Sequence, residues 1–160
     1  FLASPTRETQ KLAAGLAAVQ IQLAEVLARI ASDLRGEPNT QNAAAWHEQA
    51  VELRNQVLGL SVQYEDLAKH SKWSPRTNSV ELSSLKELLR SNQIMSARVL
   101  NIANDLRSAT RSNLNTQIPS AALSPLADLL EMAANNLVKI IDKILLINIT
   151  QWEEWVVWEV

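Results

Sequence analysis

Apolar residues recur along this chain at alternating steps of four and three, the spacing that lines them up on one stripe of an α-helix. The first run is Leu12, Leu16, Val19, Leu23, Val26 and Ile30. Ser4-Pro5 offers a capping oxygen and then a proline in the first turn, and Gly36-Glu37-Pro38 stops the run. The second carries Trp46, Ala50, Leu53, Val57, Leu60, Tyr64 and Leu67, and Lys72–Ser79, with Pro75 inside it, breaks it. Asn78 and Glu81 then stand at capping-box spacing. A third seam follows through Leu85, Leu88, Asn92, Met95, Val99, Ile102 and Leu106. Ser112–Ser120 is a polar loop closed by Pro119, and Ser124-Pro125 repeats the cap-and-proline start. The last seam runs Leu126, Leu130, Ala133, Leu137, Ile140, Ile144 and Ile147.

Four long helices joined by short loops alternate in direction, so the pattern predicts an all-α, antiparallel up-and-down four-helix bundle over residues 1–147. A Trp- and Glu-rich extension, residues 148–160, continues the last helix or is added to it. Asn92 is the one polar residue on the third seam. The reading that best fits such a position is a bond to a neighbouring helix that sets register, at some expense of stability.

Composition narrows the chemistry. The 160 residues hold no cysteine, which excludes disulfides, thiolate zinc sites and cysteine nucleophiles. Net charge is −2, with no broad basic surface for nucleic acid. Three glycines are too few and too scattered for a phosphate-cradling loop, and no Gly-x-Ser-x-Gly turn occurs. His47 and His70 are the only histidines. Ala44 and Leu67 stand three residues before them, where a di-iron bundle places glutamate. Asp66 and His70, one turn apart, form a candidate surface pair. The expectation is a domain with no catalytic site, cofactor, metal or small-molecule substrate. Lys69, Lys72, Arg76, Lys86 and Arg90, with Trp73 among them, bias the second loop and its flanks positive. They are candidates for an anionic surface, with a solvated basic loop as the plainer reading.

The stretch HSKWSPRTNSVELSSLKELLRSNQIMSARVLNIANDLRSA resembles the soluble helical region of the fusaric-acid-resistance and aromatic-acid-exporter membrane proteins. In that family a Ser-Pro-Arg-like loop, here Ser74-Pro75-Arg76, precedes a long leucine-bearing helix. SPTRETQKLAAGLAAVQIQLAEVLARIASDL is similar to the family's first soluble helix, and AALSPLADLLEMAANNL to the helix leading back to the membrane. The resemblance implies a non-catalytic domain between two transmembrane bundles, on the cytoplasmic face, serving assembly of the exporter through self-association. It carries no substrate-binding residue onto this chain. The Phe1 start, without methionine, fits a piece of a longer protein.

The chain departs from that family after Lys143. ILLINITQWEEWVVWEV brings three tryptophans, three glutamates and no basic residue, where a basic junction and a membrane segment are expected. Trp152, Trp155, Val156 and Trp158 form the candidate interaction surface of the tail. As a helix it would cover a helical partner or a second copy, because large aromatics dominate such contacts. A membrane-interface helix is the second reading, though its polar face is acidic where lysine and arginine are usual. Strand-like edge pairing is the third. Two functions therefore stand side by side: the assembly domain of an exporter, or a free-standing helical adaptor that binds through its tail.

Overall fold

The computed structural model describes residues 5–36, 39–71, 79–111, 123–136 and 139. They form an antiparallel up-and-down four-helix bundle of α1 (Pro5–Arg35), α2 (Thr40–Ser71), α3 (Ser79–Arg111) and α4 (residues 123–136). No strand occurs among the described residues. The boundary between bundle and tail, and the tail itself, lie outside them.

Cross-helix contacts give the directions. Trp46 meets Asp33 and Leu60 meets Gly15, so α2 runs back along α1. His47 meets Arg107, Arg54 meets Gln93 and Tyr64 meets Leu82, so α3 reverses again. Asn92 reaches Leu16, one early in α3 and one early in α1, which makes those two helices parallel. Arg35 at the end of α1 binds Asp128 and Glu131 near the start of α4, which turns α4 downward beside α1.

Helix α1 carries the core. Its whole seam is buried, with Leu16, Leu23, Val26 and Ile30 fully so, and Ala17, Ala24, Leu27, Ala31 and Leu34 widen the buried face. That apolar content makes Glu8–Arg35 long and apolar enough to cross a bilayer, with a mean hydropathy of 1.3, yet half of that window is buried against the other helices. On α2 the seam is fully buried from Trp46 to Val57, while Leu60, Tyr64 and Leu67 are half-buried.

Two seams differ from the spacing-based reading. On α3 the deepest line is Leu85, Leu89, Asn92, Ser96, Val99, Ala103 and Leu106, and Leu88, Met95 and Ile102 lie half-buried beside it. Small Ser96 and Ala103 face the neighbours, which lets helices approach where bulky side chains would hold them apart. On α4 Ala127, Leu130 and Ala134 are buried, and Ala133 is exposed. The stripe is rotated by one position, and Leu137, Ile140, Ile144 and Ile147 are outside the described residues.

The α1–α2 corner is tied twice. Asn39 caps α2, its Oδ1 accepting from the Asn42 amide at 2.8 Å. Trp46, fully buried, donates its indole N–H to Asp33 Oδ2 at 2.7 Å. Farther down, the helices close to the point where a Cβ on Gly15 would sit 2.8 Å from a Leu60 methyl, whereas one on Gly59 would meet nothing.

Two expectations follow from this packing. Trp46→Ala destabilises by about 3–5 kcal/mol in urea titration, through the cavity and the stranded Asp33 acceptor. Trp46→Phe costs distinctly less. Gly59→Ala stabilises by about 0.5–1 kcal/mol, because alanine is the better helix former in open space. Gly15→Ala gives less than that or reverses sign, because the Leu60 methyl must move. Equal gains at the two glycines would contradict the close approach.

Candidate functional site

A polar column runs through the apolar core where α1, α2 and α3 meet. Asn92 is fully buried, and its Nδ2 donates to the Leu16 carbonyl at 2.9 Å. One turn further along the two parallel helices come Gln20, 1% exposed, and Ser96, fully buried. The Ser96 hydroxyl donates to the Gln93 carbonyl at 3.1 Å and accepts from Arg54 Nη1 at 3.2 Å. The same Nη1 donates to the Gln93 carbonyl at 2.8 Å. Among the described residues, Gln20 Oε1 and Asn92 Oδ1 have no donor. Polar groups in such positions favour one helix register over its neighbours and lower stability, because burial without a full set of bonds costs free energy.

Arg54 also opens onto the surface seam between α2 and α3. Two turns above it, Arg107 Nη1 stands 3.1 Å from His47 Nδ1. A guanidinium can only donate, so that ring nitrogen accepts and carries no proton. Neither arginine has a carboxylate partner among the described residues. Beside this pair runs a second apolar stripe on α2, on the side away from its core seam. Ala44, Val51, Leu58 and Val62 repeat at steps of seven, seven and four. Leu58 is 53% exposed and Val62 61%.

Two shallow grooves mark the rest of the surface. One of about 270 Å³ lies between α1 and α2, floored by Gly15, Ala18, Gly59 and Leu60 with Gln56 and Gln63 at its rim. The other, about 300 Å³, lies along α4 and includes Asp128, Glu131, Met132 and Lys139. At its head Arg35 Nη2 contacts Asp128 at 2.7 Å and Glu131 at 2.6 Å. Hydrogen bonding, first from Asp128 and then from Glu131, raises the Arg35 pKa above its ordinary value.

The other candidate residues are distributed as follows. Lys69 is exposed near the end of α2, and Lys86 and Arg90 are exposed one turn apart on α3. Lys72, Trp73 and Arg76 lie outside the described residues, as do Trp152, Trp155, Val156 and Trp158. His70 Nδ1 donates to the backbone carbonyl of Asp66 at 2.7 Å, so the bond goes to main chain rather than to the carboxylate. Among the described residues no three His, Asp or Glu are grouped as metal ligands. The α2–α3 arginines were not singled out by sequence, since only the register of two helices pairs Arg54 with Ser96 and Arg107 with His47.

No family model matches the chain, and neither characterised proteins nor solved structures show a significant match to it.

Replacing Asn92 separates register from stability. Asn92→Leu raises the melting temperature while broadening amide NMR signals along α1 and α3, as neighbouring registers come within reach. A lower melting temperature with sharp, single signals would show that Asn92 acts through stability instead.

Proposed function

We propose that this chain is a non-catalytic docking domain, a rigid helical bundle that receives a further helix on the outer face of α2. The second α2 stripe carries the reading. A helix packed on one side needs one apolar stripe, and α2 has two on opposite sides. Single exposed apolar residues are ordinary. Ala44, Val51, Leu58 and Val62 at heptad-like spacing instead match the contact face of a helix that expects another.

A second reading sets the same docking domain inside a membrane exporter of aromatic or organic acids. It rests on the likeness of residues 70–109, with their Ser74-Pro75-Arg76 loop, to that family's soluble region. Six or so apolar spans encoded upstream of Phe1 would support it. A parent reading frame without spans on either side would leave the free-standing adaptor.

The docking reading is tested in the cell of origin with a photoreactive phenylalanine analogue placed at Val62 in the full chain, and at exposed Glu25 on α1 as control. Crosslinks form at position 62 and are lost when Leu58→Glu is added. That substitution shifts folding stability by no more than about 0.5 kcal/mol, as expected at an exposed site. Equal crosslinking at both positions, or none at 62, would refute the reading.

A further inference from the structure

The α2–α3 seam and the end of the chain are complementary in chemistry. Arg54 and Arg107 are half-buried, bonded to neutral partners, and each keeps guanidinium donors with no acceptor among the described residues. A partly desolvated cation without a counter-charge is unfavourable, and a carboxylate arriving from outside would relieve it. The Val51–Leu58–Val62 stripe runs alongside. Glu48 and Glu52 lie further round α2, toward α1, so cations border the stripe on one side and carboxylates on the other. A ligand for this surface is therefore an apolar segment with carboxylates along one edge and no cation on that edge.

The chain ends in such a segment. Residues 152–159, WEEWVVWE, hold three tryptophans, three glutamates and no basic residue. We infer that the tail of one molecule docks in the α2–α3 seam of a second copy, Glu153, Glu154 and Glu159 meeting Arg54 and Arg107 while the tryptophans cover Val51, Leu58 and Val62. The arginines stand about two helical turns apart, roughly 11 Å, and the tail's first and last glutamates are spaced to match, roughly 9 Å apart if helical. The geometry favours a second copy over the molecule's own tail. Arg35 holds α4 against α1, across the bundle from this seam. Exchange of two tails about a two-fold axis satisfies both seams at once. This assignment rests on the docking reading above and supplies its occupant.

The test uses full-length chains and sedimentation equilibrium. The wild type associates to a dimer. Arg54→Glu with Arg107→Glu, and separately Glu153→Lys with Glu154→Lys and Glu159→Lys, each weaken the dimer by about 30-fold or more, the loss expected for close charge pairs. An equimolar mixture of the two variants restores it, because each seam then meets a tail of opposite charge. Unchanged helical circular dichroism in both variants excludes unfolding as the cause. A monomeric wild type, a variant that keeps wild-type association, or a mixture that stays monomeric would each overturn the assignment. If Val62 then crosslinks to a different protein, the docking reading survives without the tail. If it crosslinks to nothing, both fall.

Discussion

Helix α1 has to hide an apolar face too wide for one neighbour. From Leu12 to Leu34 its buried positions take in both sides of the seam, Ala17, Ala24 and Ala31 as well as the leucines. Three helices are needed to cover such a face, and the rest of the bundle is placed by that need. Helix α2 folds back at the Asn39 cap and is tied by Trp46 to Asp33. Helix α3 runs parallel to α1 and meets it through Asn92, and α4 closes the remaining side under Arg35. Each buried leucine or isoleucine of α1 contributes about 1.5–3 kcal/mol against exposure. Chain entropy offsets most of that sum, so the smaller polar contacts decide which arrangement of helices wins.

Those polar contacts divide the work. At the top of the bundle they are external and charged, and water weakens them. In the middle they are internal and largely neutral, and burial makes them exacting. Arg54 spans the two regimes, with one end on Ser96 and the Gln93 carbonyl and the rest toward the seam between α2 and α3. The surface that carries the docking proposal is thus continuous with the layer that holds the helices in register.

Much of this was legible in the residues. Period and punctuation gave the helices, and all six seam residues of α1 are buried. Asn92 was visible as a polar residue on an apolar line, though its partner, a main-chain carbonyl of α1, was not. What failed was fine rotation. Picking the bulkiest residue in each turn selected Leu88, Met95, Ile102 and Ala133, whereas close packing brought Leu89, Ser96, Ala103 and Ala134 inward. The paired arginines and the second stripe on α2 escaped for another reason. A stripe is read as core once it is found, and a residue's partner across two helices depends on a register that spacing within one helix does not contain.

The up-and-down path has a consequence for the order in which the molecule assembles. Most contacts join helices that are consecutive in the chain, such as Trp46 with Asp33, 13 residues apart. Such contacts close quickly, and a chain dominated by them folds fast. Asn92 must find Leu16 across 76 residues, after both hairpins have formed and most apolar surface has gone. A desolvated amide that fits only one carbonyl then acts as a late inspection step. Collapsed chains with α3 slipped along α1 leave that amide unbonded and return to try again, and a φ-value near zero at Asn92 is the kinetic mark of such an arrangement.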